Sequence, residues 1–94
     1  MKGKKVSGIH RQHHVLLYTL STCVWCNRTK KFLQQQNVEY EYVDIDLLNR
    51  DDREQCRQEI LKKGGQLLYP TIIVDEKTII NGFREETLRE VLGL

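Results

Sequence analysis

Cys23-Val24-Trp25-Cys26 places two thiols two residues apart. The segment follows the β-like run Val15-Leu16-Leu17-Tyr18-Thr19 and precedes a helix-like run from Asn27 to Gln36. Both thiols therefore fall at a helix start, where unpaired N–H groups and a partial positive charge are concentrated. A thiolate is stabilised there and can attack disulfides near neutral pH. The second thiol lies one turn on and can close a ring with the first. The pair reads as a reversible dithiol/disulfide couple. Cys23, at the helix start and the more exposed, is the candidate nucleophile that forms a mixed disulfide with substrate. Cys26, a turn inside, is the candidate resolving thiol that attacks the Cys23 sulfur and releases the reduced product. Structural zinc is the other chemistry open to a Cys-x-x-Cys pair, but it needs a second ligand pair. Only Cys56 and the distant His10, His13 and His14 remain for that.

The elements around the dithiol follow from hydrophobic periodicity. The strand from His14 to Thr19 carries an unbroken apolar run, which suits a central strand buried on both faces. In the helix from Val24 to Gln36, Thr29, Phe32 and Leu33 recur at helical spacing and form an inward face. Asn37 is a candidate stop. Val38 to Ile45 alternates apolar and acidic residues, as in a strand with one solvated face. A second helix is expected over Asp51–Lys63, with acids in its first turn, lysines in its last, and Gly64-Gly65 beyond. Pro70 to Val74 and Thr78 to Ile80 read as a hairpin turning at Asp75-Glu76, with a second turn at Asn81-Gly82. A closing helix runs from Glu85 to Leu92. The order is β-α-β-α-β-β-α, an α/β chain whose βαβ unit implies a right-handed parallel crossover and whose hairpin adds an antiparallel edge.

Ninety-four residues suit one domain, and 39% hydrophobic with 30% charged residues suits a soluble one. Residues 1–13 read as a flexible polar tail and 14–94 as the folded unit. The net charge of +2 gathers at Lys2, Lys4, Lys5 and Arg11, too weak and scattered to suggest nucleic acid. No apolar run reaches membrane-span length, and no apolar segment follows the basic start as a secretory signal requires. An odd cysteine count argues against a secreted disulfide framework, so a cytoplasmic location is expected.

Other residues carry two readings each. Either Thr22 caps the helix or Cys23 is the cap itself. Trp25 is either a partner-contacting surface or packs against the loop after Tyr69. Cys56, mid-helix, is a small buried apolar side chain or a third redox thiol. The histidine cluster is a metal site or proton donor, or a polar lead-in. Asp44 and Asp46 end a strand and are either proton relays beneath the dithiol or solvated turn formers. Tyr69-Pro70 holds the one proline of the chain, at a strand start where proline is tolerated. A cis bond there, packed beside the dithiol and leaving the Tyr69 backbone to pair with substrate, is the sharper reading.

Tyr18-Thr-Leu-Ser-Thr-Cys-Val-Trp-Cys26, Tyr69-Pro70 and Asn81-Gly82-Phe83-Arg84 together resemble the glutaredoxin family of the thioredoxin-like superfamily, from Val15 to Leu92. The resemblance implies a thioredoxin-like fold with a four-stranded mixed sheet between helices, a nucleophilic first cysteine and a cis Pro70. It implies thiol–disulfide oxidoreductase activity with no resident cofactor, and a monomer is expected. Substrate contacts would come from Thr22, Trp25, Tyr69, Pro70, Gly82, Phe83 and Arg84. Glutathione-using members usually carry a lysine three residues before the first cysteine, where this chain has Leu20. They usually have Cys-Pro-Tyr-Cys and Thr-Val before the proline, where this chain has Val24, Trp25, Leu68 and Tyr69. Without that lysine, capture of the glutathione carboxylate weakens, although Gly82 could still offer backbone N–H groups. Asn81-Gly82-Phe83-Arg84 is more similar to the Ser-Gly-Phe-Arg segment of glutaredoxin-like electron donors for ribonucleotide reductase, which thioredoxin reductase recharges. The segment from Asp46 to Gln66 is longer than those donors have. The expected function is therefore a dithiol carrier that reduces protein disulfides and is recharged by a thioredoxin-reductase-type partner. A glutathione-dependent glutaredoxin and an iron–sulfur-cluster-binding glutaredoxin are the alternatives.

Overall fold

The computed structural model describes residues 3–94. The expectations for Met1 and Lys2, the start of the polar tail, lie outside the described residues. Five strands and three α-helices follow in the order β1 (Lys4–Val6), β2 (Val15–Thr19), α1 (Val24–Gln35), β3 (Tyr40–Asp44), α2 (Arg50–Lys62), β4 (Thr71–Val74), β5 (Thr78–Asn81) and α3 (Glu85–Leu92). A short 3-10 turn over Ile45–Leu47 joins β3 to α2.

The sheet order is β1-β3-β2-β4-β5. β2 and β3 are parallel, with Leu17 opposite Tyr42, and the other neighbouring pairs are antiparallel. Every residue of β2 and β4 is buried, as the unbroken apolar runs predict for central strands. Because side chains alternate along a strand, β2 feeds two cores. Val15 and Leu17 pack with Phe32, Leu33, Leu88 and Leu92 on the α1–α3 face. Leu16 and Tyr18 pack with Val43, Ile60 and Ile73 on the α2 face. Leu17, Leu33, Ile60, Ile72 and Leu88 are wholly buried, and each such side chain contributes about 1.5–3 kcal/mol of transfer free energy.

The sheet has five strands, where four were expected. Lys4–Val6, expected within a flexible tail, pairs with β3 at Lys4↔Tyr42 and Val6↔Tyr40. A bridge from His10 to Val38 follows. β1 is an edge strand with Lys4 and Lys5 exposed, so its composition is polar. Its pairing is made by backbone groups, which composition does not reveal.

The helix ends obey local chemistry. α1 stops one residue before the expected Gln36, and Asn37 takes a left-handed φ of 56°. The N–H groups of Asn37 and Val38 donate to Gln34 and Leu33 carbonyls, closing the helix in a Schellman motif. Gly64, at φ 85°, and Gly65 end α2 in the same way, through the Leu61 and Ile60 carbonyls. At the other end of α2, Asn49 Oδ1 accepts from the Asp52 N–H at 2.8 Å. Asn49→Ala is therefore expected to lower stability by about 1 kcal/mol in urea unfolding.

The β4–β5 hairpin turns where expected. The Lys77 N–H donates to the Val74 carbonyl, and Asp75 and Glu76 both have positive φ, at 54° and 63°. That is the geometry of a type I′ turn, which favours Asn-Gly. Asp75 is retained by bonds to the His13 ring and the His14 N–H. Among the described residues, no group pairs with the Glu76 carboxylate in this way. Glu76→Gly is expected to raise stability by about 0.5–1 kcal/mol, read as a higher urea midpoint at unchanged m.

Candidate active site

The turn between β2 and α1 is built from the ends of neighbouring strands. Asp46, just past β3, accepts from the Ser21 N–H at 2.8 Å and from the Ser21 hydroxyl. These bonds hold its carboxyl below the usual range. The Cys23 N–H donates to the Leu20 carbonyl at 3.1 Å and completes the turn. Cys23 is itself the N-cap of α1, which decides between the two capping candidates: its Sγ accepts from the Cys26 N–H at 3.2 Å. Thr22 is exposed in the turn beside it. The Cys23 sulfur thereby takes up one of the orphan N–H groups of the first turn.

The two thiols differ as their positions require. Cys23 is partly exposed, and Cys26 is wholly buried. Burial first, then the hydrogen bond with Cys23, pushes the Cys26 thiol up to about 12. Cys26 therefore stays protonated at neutral pH. Beneath the dithiol, Thr19 Oγ1 donates to Asp44 Oδ1 at 2.6 Å, and Lys30 Nζ meets the same oxygen at 3.1 Å. Asp44 thus braces β2, β3 and α1 rather than forming a solvated turn. Asp46 is exposed but anchors the turn through Ser21.

Tyr69-Pro70 is a cis peptide bond. The Tyr69 carbonyl lies 3.9 Å from Cys23 Sγ, which sets this bond against the leading sulfur of the pair. The Tyr69 ring packs against the α2-side core, and burial raises its hydroxyl. The chain before Pro70 is held by Asn81, which the sequence reading treated only as part of a turn. Asn81 closes β5, and its amide bonds the Gln66 carbonyl, the Gln66 N–H and Thr71 Oγ1. No sequence signal separates such an asparagine from an ordinary turn former. Gly82 follows at φ 84°, and its N–H donates to the Pro70 carbonyl at 2.7 Å. That donor, expected to be available to a ligand, is already engaged.

Trp25 is 53% exposed, and its ring neighbours are Phe83 at 6.4 Å and the Arg28 guanidinium at 4.9 Å. Phe83 in turn meets Phe32 of the core at 5.7 Å. Arg84 is exposed and stands at the N-cap of α3 without a capping side-chain bond. Of the expected contact residues, the structure sets Tyr69 against Cys23, Gly82 against Pro70 and Phe83 against Trp25. Leu20, the position of the lysine in glutathione users, is partly buried against the α2-side core.

Cys56 lines a cavity that neither Cys23 nor Cys26 lines. The cavity, of about 310 Å³, is shared with Leu16, Tyr18, Leu48 and Ile73, and burial raises the Cys56 thiol. His13 pairs with Asp75 at 2.7 Å. Among the described residues, no group of three or more His, Cys, Asp or Glu side chains could hold a metal ion. Among the described residues, no helix is long and apolar enough to cross a membrane.

A mixed sheet flanked by helices, with a Cys-x-x-Cys at the start of the first helix and the Tyr69 carbonyl facing its leading sulfur, defines a thioredoxin-like protein. Comparison with known proteins narrows that class. The glutaredoxin family model matches residues 15–79, and the chain belongs to the glutaredoxin family. It is similar to the glutaredoxin from Methanosarcina mazei Go1, with a TM-score of 0.89 and 37% identity over 100% of this chain and 90% of that one. It is equally similar to Methanosarcina acetivorans methanoredoxin, with a TM-score of 0.90 and 37% identity over 97% and 96% of the two chains. Among curated relatives, glutaredoxin 1 of Rickettsia prowazekii is 33% identical over 63 residues, 67% of this chain and 63% of the relative. The chain thus spans less than two thirds of that relative's length.

Proposed function

We propose that the chain is a thiol–disulfide oxidoreductase that carries two electrons to protein disulfides through Cys23 and Cys26. One observation carries the reading. The partly exposed Cys23 sulfur caps α1 and faces the Tyr69 carbonyl, with the buried Cys26 one turn behind it. The Cys23 thiolate attacks one sulfur of a substrate disulfide, the mixed disulfide forms, and the other substrate sulfur leaves as a thiolate that takes up a proton. Cys26 then gives up its proton to solvent and attacks Cys23 Sγ; the bond from Cys23 to the substrate sulfur breaks, and that sulfur leaves as a thiolate that takes up a proton. The second substrate thiol is released, and the Cys23–Cys26 disulfide holds the oxidising equivalents. Tyr69 and Pro70 align the substrate backbone, with Thr22, Trp25, Gly82, Phe83 and Arg84 around it. Residues 14–94 hold all of these groups, and a reducing cytoplasm suits a carrier that works as a free dithiol.

A thioredoxin-reductase-type partner recharges the protein on this reading. Leu20 supports it, since that apolar, partly buried side chain offers no cation to the glutathione carboxylate. The engagement of the Gly82 N–H by Pro70 supports it as well. The test is steady-state disulfide reduction, run in parallel with NADPH plus thioredoxin reductase and with glutathione plus glutathione reductase. Turnover with the first alone is expected. Turnover with glutathione would return the chain to the ordinary glutaredoxin reading. Brown colour on anaerobic isolation would bring the iron–sulfur alternative forward.

A further inference from the structure

Among the described residues eight large apolar side chains are exposed, and Val24 at 62%, Trp25 at 53% and Leu68 at 56% flank the two halves of the site, Cys23-Cys26 and Tyr69-Pro70. Two exposed arginines, Arg28 and Arg84, stand beside them. Lys5, Lys30, Arg57, Lys63 and Arg89 each meet a carboxylate. Arg28 and Arg84 meet none among the described residues. Arg28 lies over the outer ring of the Trp25–Phe83 pair, and Arg84 follows Phe83 directly. Arg28 thus stacks on the aromatic pair, whose Trp25 sits between the two thiols, while Arg84 lines a hollow with Leu68, the residue before Tyr69-Pro70.

We propose that Trp25, Phe83, Arg28 and Arg84 form a docking platform for an acidic segment of the protein substrate, with an apolar residue next to its reactive cysteine. The proposal rests on the dithiol reading above and adds the chemistry of the partner. Exposed aromatics and arginines are the residue types that dominate interface energetics, because they offer large, rigid contact area with a polar edge. The apolar neighbour of the substrate cysteine covers Trp25 and Val24. Carboxylates on either side pair with the free guanidinium forks, which suit their planar geometry. Glu85, in the first turn of α3, is taken up by Arg89 at 3.2 Å and does not neutralise Arg84. Glu86 in the same turn keeps the platform from being uniformly cationic, so the expected charge preference is about tenfold rather than thousands.

The chain's one tryptophan lies inside the motif and reports its oxidation. Reduced protein is mixed by stopped flow with three peptide disulfides that share a Cys-Leu core and differ in two flanking residues, both Asp, both Ser or both Lys. Bis(2-hydroxyethyl) disulfide is the small uncharged reactant. The Asp peptide is expected to oxidise the protein about tenfold faster than the Lys peptide at low salt, and the gap should close in 0.5 M salt as charges are screened. In the Arg28→Glu/Arg84→Glu variant the order should reverse. Equal rates for the three peptides, or an unreversed order in the variant, overturn the platform while leaving the dithiol chemistry standing. No oxidation by any disulfide, the small one included, overturns both.

Discussion

Cys23→Ser is expected to lower disulfide-reducing turnover by on the order of 10³-fold or more, to the level of the reagent blank. The serine hydroxyl remains protonated at neutral pH and is a poor nucleophile toward sulfur. Cys26 cannot take over. Its sulfur is wholly buried, and its thiol is pushed up to about 12. Cys56 lies in a separate cavity on the α2 face, with its thiol also raised by burial. The loss should come without unfolding, because a serine at Cys23 is itself a good N-cap and can accept from the Cys26 N–H. A near-unchanged thermal midpoint beside abolished turnover is the combined expectation. Activity above a tenth of the original would mean that another thiol carries the chemistry.

Cys26→Ser is expected to stop the cycle one step later. Cys23 keeps its cap position and attacks, but no thiol lies behind it to resolve the intermediate. The mixed disulfide should accumulate, visible as the protein mass plus one substrate half, and turnover without added thiol should fall by about 100-fold or more. Cys26→Ala gives the same trap without burying a hydroxyl, which costs about 1–3 kcal/mol when unpaired. The wild-type resolving step carries a pH signature with a definite sign. A thiol raised to about 12 is almost wholly protonated at pH 7. Its thiolate fraction grows about tenfold per pH unit below that value, so resolution should accelerate from pH 6 to pH 9. A resolving rate flat across that window would mean that the Cys26 proton is not what limits it.

The dithiol, its place between a buried strand and a helix, and the βαβ order were legible because each has a local signature. A two-residue spacing, an unbroken apolar run and a 3.6-residue period need no knowledge of the partner elements. The Gly64-Gly65 stop and the Asp75-Glu76 turn were legible for the same reason. Asn81 was less so: it closes β5 instead of standing in a turn, because its side chain serves the distant Gln66 and Thr71. The strand at Lys4–Val6 was missed because an edge strand is held by backbone bonds and shows water its lysines. The roles of Asp44 and Asp46 depend on what lies across from them. Ser21, Thr19 and Lys30 are 14 to 25 residues away in sequence, a proximity only the folded chain creates. The cis bond at Tyr69-Pro70 came from the family resemblance, since X–Pro isomers leave no mark in composition.

The central claim is that Cys23 and Cys26 form one two-electron couple. Equilibrating the protein in dithiothreitol redox buffers, then alkylating and locating the label by mass spectrometry, tests it most directly. The account predicts that Cys23 and Cys26 lose their label together over a single two-electron transition, with Cys56 labelled to the same extent throughout. Label retained on Cys23 and Cys26 under oxidising conditions, or a disulfide that includes Cys56, would contradict it.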